Sequence, residues 1–271
     1  ADAAVKDELG KETYTKEDLK SIEPKTPIME QSVAVLTQMF TYGDDIPSVL
    51  DELKEGITYF ADQVNYNLNK DFNGRTPVGD DPYDITDVPY GNGNPKNQVE
   101  SESHGTHVAG IIAAERNNGI GMNGVAQNVE IMSVRAVPNG DEYDKDIALG
   151  IRYAVDNGAK VINCSFGKAF SPEAEWVYDA IRYAASKDVL IVHAAGNDGN
   201  DLDNPENPNY PNDHKFGQTE IVDNLIPVGA LTSSYGSDMV ATFSNYGKQN
   251  VDVFAPGDDI YSTLPNNTYD F

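Results

Sequence analysis

The stretch KVINCSFGKAFSPEAEWVYDAIRYAASKDVLIVHAAGNDG, residues 160–199, decides the fold. Its first run, residues 160–166, and its last, residues 189–195, are short and apolar with β-branched residues, as buried strands require. Between them residues 172–186 carry a helical pattern. Strand, helix, strand in that order implies a crossover between parallel neighbours. The pattern repeats outward. Upstream, residues 129–137 predict a strand and 144–157 a helix; downstream, the apolar runs 225–230 and 251–255 extend the sheet. The expected class is α/β, a parallel sheet with helices on both faces. In such sheets ligands meet the loops at the carboxyl ends of strands, here residues 136–140, 164–167 and 194–199.

Residues 1–70 have another texture, rich in Lys and Glu and poor in glycine. Val49, Leu50, Leu53, Ile57, Phe60, Val64 and Leu68 follow steps of three and four, which predicts an amphipathic helix from Ile46 with Asp45 as its N-cap and Pro47 in its first turn. Val33, Leu36, Met39 and Phe40 repeat the pattern up to Gly43, so the two helices form a hairpin in an acidic helical segment whose expected role is packing. Residues 71–103 are dense in Gly, Pro, Asn and Asp and read as loop, with one short strand at 76–79.

Composition narrows the function. The 271 residues are 39% hydrophobic, enough to bury a sizeable core. Lys plus Arg total 19 against 44 Asp plus Glu, a net charge of −25 that repels nucleic acid. The carboxylates favour solubility and hard cations such as calcium. The single cysteine, Cys164, has no internal disulfide partner and reads as a buried thiol. No run of eighteen apolar residues predicts a membrane span. The chain starts at Ala1 without methionine or a basic-then-apolar leader, as a processed protein or an internal segment would.

Two local motifs carry chemistry. HGTHVAGIIAAE, residues 104–115, turns a polar loop into an apolar helix and places His104 at the helix start. An imidazole there suits a general base, since its pKa lies near neutrality. Taken alone, such a histidine is more often structural. His104 and His107 stand three apart, but the HExxH spacing and its acid are missing, which argues against zinc. In VLIVHAAGNDG, residues 189–199, a buried strand ends in Ala194, Ala195 and Gly196 and then presents Asn197, whose amide can donate to an oxyanion. A Gly-Asn pair after a strand is also an ordinary turn. His193, inside the strand, reads as a satisfied interior histidine.

Taken together, HGTHVAG, AAGN at 194–197, VINCSFG at 161–167, GVA at 124–126, AVDNGAKVIN, FSNYG and VDVFAPG resemble the subtilase family of serine peptidases over roughly residues 71–271. The resemblance implies a partial subtilase catalytic domain at 71–271, preceded by the helical segment as an insertion. It implies a serine endopeptidase in which His104 takes and returns the serine proton and Asn197 stabilises the tetrahedral oxyanion. Ser165, Phe166 and Gly167 resemble the edge strand for an extended peptide or protein substrate, Pro138, Asn139 and Gly140 the opposite strand, and Ala194, Ala195 and Gly196 the lining of the primary specificity pocket. NNGIGM, residues 117–122, resembles the family's structural calcium loop, with Asn118 and the carbonyls of Arg116, Ile120 and Met122 as ligands. An extracytoplasmic location is implied in the same way.

Two departures qualify the resemblance. No Asp-Ser-Gly or Asp-Thr-Gly turn precedes His104, and no Gly-Thr-Ser-Met motif occurs. Asp71, Asp80, Asp81 and Asp84 lie in loop sequence without the strand that the aspartate needs. The expectation is a segment bounded by the two missing elements: inactive alone, active within its parent. The rival is a peptide-binding domain on a subtilase scaffold that has lost catalysis; His104 and Asn197 in intact motifs argue against it. A calcium-binding adhesion module would need repeated Asp-rich loops, which the sequence lacks.

Overall fold

Four short strands pair in parallel in the order in which the chain makes them: β1 (Val161–Cys164), β2 (Leu190–Ala194), β3 (Leu225–Leu231) and β4 (Val253–Pro256). The register sets Cys164 beside His193 and Ala194 beside Val228. These coordinates are a computed structural model that describes residues 1–43, 45–98, 102–137, 142–214 and 219–271, leaving aside the side chains of 51, 52, 55, 59 and 67. The chain divides into two compact units, Ala1–Phe72 and Asn73–Phe271.

The sheet lies in the second unit, where its core is a helix-on-sheet layer. Helices α6 (Asp144–Asp156) and α7 (Ala174–Ser186) pack on each other and bury Ile147, Ile151, Val177, Ile181 and Ala184 against Cys164, Ile191 and Leu225. Their apolar residues recur at helical spacing, so each helix turns one stripe to the sheet. Burial pushes the Cys164 thiol up to about 12, which leaves it protonated and inert at neutral pH. A further helix, α5 (His104–Ala113), packs on β5 (Ser262–Leu264), which pairs antiparallel with β6 (Thr268–Asp270).

Several expected elements form within a residue or two of their predicted bounds; two strands do not form. Residues 129–137 are extended in pattern only. Val129, Ile131, Met132, Val134 and Val137 are exposed, and β1, at the end of the sheet, pairs only with β2 among the described residues. A strand exists only where a second backbone meets its N–H and C=O groups, and alternating apolar residues cannot supply that partner. Residues 76–79 form a turn, with the N–H groups of Val78 and Gly79 donating to the Arg75 carbonyl.

Among its described residues the first unit holds four α-helices, α1 (Asp2–Leu9), α2 (Lys16–Lys20), α3 (Pro27–Met39) and α4 (Ile46–Asp62), the last running on into a π turn at Gln63–Asn67. Local chemistry sets the starts. Thr15 and Asp18 form a reciprocal capping box, Thr26 caps α3 with Pro27 at its first position, and Asp45 accepts from the Ser48 N–H at 2.8 Å. The core is small: Val5, Tyr14, Leu19, Ile22, Leu36 and Ile46. The stripe of α4 is buried at Ile46 and Val49, but Leu53, Ile57, Phe60, Val64 and Leu68 are exposed. The period predicted the helix and could not say how much of its face finds a partner.

A buried charge cluster attaches the 75–90 loop to the start of α6. Lys145, fully buried, donates to Asp80 Oδ2 at 3.1 Å and to the Asp81 carbonyl at 2.7 Å, and lies 4.4 Å from the Tyr90 ring centroid. Arg75 pairs with Asp146, sits 3.6 Å from Asp80 Oδ1 and stacks on Tyr143 at 4.1 Å. Asp80 thus serves a structural pair, in loop sequence as expected. Removing one partner strands a charge out of water, whereas removing both does not. Asp80→Asn should therefore destabilise the second unit by about 3–5 kcal/mol in urea unfolding. Asp80→Leu combined with Lys145→Met should cost less than Asp80→Asn alone; equal or greater loss from the double variant would contradict this account.

Candidate functional site

Where β2 stops, two asparagine side chains take over its hydrogen bonds. Asn209 Nδ2 donates to the carbonyls of Ala194 at 3.1 Å and Ala195 at 2.9 Å. Asn245 Nδ2 donates to Ala195 O at 2.9 Å, while its Oδ1 accepts from the N–H groups of Asp198 at 3.1 Å and Asn200 at 2.9 Å. The Asn245 N–H donates to Gly196 O at 2.9 Å. Gly196 adopts φ +99°, and a Cβ there would lie 2.5 Å from Asn245 Nδ2, so both conformation and space require glycine. Ala195 is buried and Asn197, at the tip of the turn, is exposed. Asn197 thus offers its carboxamide to solvent just past the strand end.

The expected peptide strand is tied to this turn. Phe166 O, just past β1, is 2.8 Å from His193 Nε2. Burial pushes the His193 imidazole down to about 4, so it is neutral at pH 7 and its Nε2–H donates to that carbonyl. His193 is therefore the interior residue that the sequence suggested. Gly167 lies against Asn209, where a Cβ would come within 2.6 Å of Oδ1. The next residue, Lys168, exchanges backbone hydrogen bonds with Tyr210 and pairs with buried Asp144 at 2.9 Å. Asn209 and its neighbour thus bridge Ser165–Phe166–Gly167 and Ala194–Ala195–Gly196. Pro138, Asn139 and Gly140 lie outside the described residues.

His104 stands exposed at the first position of α5. The helix is anchored through its backbone: Ser262 Oγ donates to His107 O at 2.7 Å and Thr263 Oγ1 to Thr106 O at 2.8 Å. Gly110 permits this approach, since a Cβ would fall 2.5 Å or less from both hydroxyls. The surrounding protein, and secondarily the neighbouring His107, lower the His104 pKa from its ordinary value. Among the described residues no hydrogen bond joins His104 to Asn197; the anchors of α5 run to β5, those of the turn to residues 209 and 245.

The 117–122 loop is a tight backbone turn, with Asn117, Gly119 and Gly121 at positive φ. Asn118 Oδ1 accepts from the Ile120 N–H at 2.9 Å, and Arg116 donates to the Gly124 carbonyl. The proposed donors, Asn118 Oδ1 and the carbonyls of Arg116, Ile120 and Met122, are neutral oxygens of the type calcium accepts. They number four, fewer than the six to eight oxygens that calcium takes. Among the described residues no three His, Cys, Asp or Glu side chains converge as metal ligands, and no helix is long and apolar enough to cross a membrane.

Sequence reasoning missed Asn209 and Asn245. FSNYG contains Asn245, but nothing local reveals that its side chain reaches residues 195, 198 and 200.

Comparison with known proteins places these features in one family. A model described as "Subtilase family" matches residues 32–271. The chain is 40% identical over 207 residues to the thermophilic serine proteinase of Bacillus sp. strain AK1, covering 76% of this chain and 44% of that protein. It is 42% identical over 175 residues to the cell wall-associated protease of Bacillus subtilis strain 168, covering 64% and 17%, and 39% identical over 177 residues to thermitase of Thermoactinomyces vulgaris, covering 65% and 57%. It therefore spans less than two thirds of each of these relatives. Among solved structures, S41 psychrophilic protease superposes with a TM-score of 0.55 at 30% identity, covering 68% of this chain and 60% of that one.

The surroundings of His104 have a direct readout. Crowding and a like charge both disfavour the imidazolium, so its titration midpoint by NMR should fall below the free value of about 6.5. His107→Gln, which removes the like charge, should move the midpoint upward; an unchanged midpoint would remove His107 as a cause.

Proposed function

The chain belongs to the subtilase family, and on that premise we propose that it carries the substrate-binding and oxyanion-stabilising part of a serine endopeptidase active site. The observation that supports this best is Asn197, exposed just past the end of β2 on a turn where the Ala195 and Gly196 carbonyls before it and the Asp198 and Asn200 N–H groups after it are all bonded to Asn245. An extended peptide lies along Ser165–Gly167 as an added strand, with Ala194–Gly196 lining the pocket for the side chain next to the scissile bond. A serine hydroxyl attacks the carbonyl carbon. Its proton passes to His104, the carbonyl π pair moves onto oxygen, and Asn197 Nδ2 donates to the resulting oxyanion. As the C–N bond breaks, the imidazolium returns the proton to the leaving amine, and water then repeats the sequence on the acyl ester.

The reaction also needs a nucleophile and a carboxylate partner for the imidazole. Ser244 and Ser262 are buried with their hydroxyls donating to backbone carbonyls, and Ser165 Oγ accepts from Asn163 at 2.9 Å. We expect these 271 residues alone neither to hydrolyse peptide bonds nor to be labelled by a fluorophosphonate, and the full-length protein to hydrolyse them and to be labelled. A serine within these residues that is labelled, and whose labelling is lost in His104→Ala, would overturn this. The family's bacterial proteases support an extracytoplasmic location.

In the active protein Asn197→Ala should lower kcat by roughly a hundredfold or more with KM nearly unchanged, because the donor acts on charge that develops in the transition state. A loss carried by KM would assign Asn197 to ground-state binding.

Calcium enters the proposal as a structural ion held by the 117–122 loop together with oxygens from elsewhere. Calorimetry should show weak or no binding to these residues alone and tighter binding to the full-length protein; no affinity in the latter removes the ion.

A further inference from the structure

Asn197 is exposed, and its position is inherited from the backbone beneath it. That backbone has left the sheet: β2 ends at Ala194, and the chain turns through Gly196 at φ +99° before residue 197. What holds the turn is Asn245, whose side chain is buried, with its Nδ2 donating to Ala195 O at 2.9 Å and to Asp198 Oδ2 at 3.5 Å and its Oδ1 accepting from the N–H groups of Asp198 and Asn200. Its own N–H closes on Gly196 O. These five bonds bracket residue 197 on both sides.

Asn245 is in turn fixed to the sheet. Ser244 Oγ accepts from the Ala230 N–H in β3 at 2.9 Å and donates to Asn245 O at 2.9 Å. Gly199 N–H donates to Phe243 O and Tyr246 N–H to Asn200 O, so the 243–246 segment runs alongside the turn. A position set by β3 is thus passed through one carboxamide to the residue that faces the oxyanion.

We propose that Asn245, with Asn209 beside it, is the positioning residue of the oxyanion turn. This rests on the role assigned to Asn197 above. Asn245 touches neither substrate nor reacting atoms; it acts by placing the Asn197 amide. Only a short planar carboxamide can do so, because the site demands a donor for one carbonyl and an acceptor for two N–H groups on a single side chain. Aspartate keeps the acceptor, loses the donor and turns a charged oxygen toward Ala195 O. Misplacing an oxyanion donor by about 1 Å costs on the order of a hundredfold in rate.

The test is a double-mutant cycle in the full-length protein, measuring kcat and KM on a peptide amide. Asn245→Asp should lower kcat about 10- to 100-fold with KM within about twofold. In an Asn197→Ala background the same change should lower kcat by less than about threefold, since there is no amide left to place. An unchanged kcat in the single variant, or an equal loss in both backgrounds, overturns the proposal while leaving the oxyanion role of Asn197 intact. An Asn197→Ala variant with full kcat overturns that role first. Asn209→Ala runs through the same cycle. If circular dichroism shows neither variant folded, these residues are structural and the proposal fails.

Discussion

The carbonyls of Ala194 and Ala195 need donors where the pairing of β2 runs out, and the loops around the strand end follow from how they get them. A buried carbonyl left without a partner costs about 1–3 kcal/mol, so a strand cannot simply end inside a protein. Here the donors are the amides of Asn209 and Asn245, which arrive from segments 14 to 50 residues downstream. The solution brings three loops to one point: the 165–168 run after β1, the turn after β2 and the 243–246 run after β3. They meet at the carboxyl edge of a parallel sheet, where ligands bind in folds of this class.

The side chains that hold this point, Asn209, Asn245 and His193, are neutral. His193 is held uncharged by its burial and gives its proton to Phe166 O. The asparagines carry no net charge either. A site built to stabilise a transient oxyanion gains from fixed dipoles that do not reorient when the charge appears, and neutral amides locked by two or three hydrogen bonds meet that condition. Full charges are kept one layer away, where Asp144 receives Lys168, Ser171 and the Glu173 N–H, and where Lys145 and Arg75 meet Asp80 and Asp146. Both clusters engage the first turn of α6, so the same few residues hold that helix to the 75–90 loop and to the residue that follows the expected peptide strand.

The helical unit obeys the same local chemistry with a different outcome. Capping residues start its helices at Thr15, Thr26 and Asp45, and a six-residue core joins them. Most of the α4 stripe is exposed. A helix of this length is stabilised chiefly by burial of its face, so α4 draws on its cap and on the buried Ile46 and Val49.

Short-range pattern was enough to read the α/β class, the bounds of α6, α7 and the four sheet strands, the Asp45 cap of α4, and the motifs holding His104 and Asn197. Hydrophobic period and capping chemistry are set by neighbours a few residues apart, and they are written in the chain itself. Pairing is not. Residues 129–137 have the apolar run of a strand and, among the described residues, no strand partner, residues 76–79 close as a turn, and the outer stripe of α4 is exposed. The clamp of Asn209 and Asn245 and the buried Lys145–Asp80 pair were equally invisible. Each joins residues 14 to 65 positions apart, and a lone Asn or Asp in a loop looks the same whether it bonds to water or to a strand end. Local sequence determines what a segment can form; only the folded chain, by bringing distant donors to unsatisfied acceptors, determines which of those possibilities is kept.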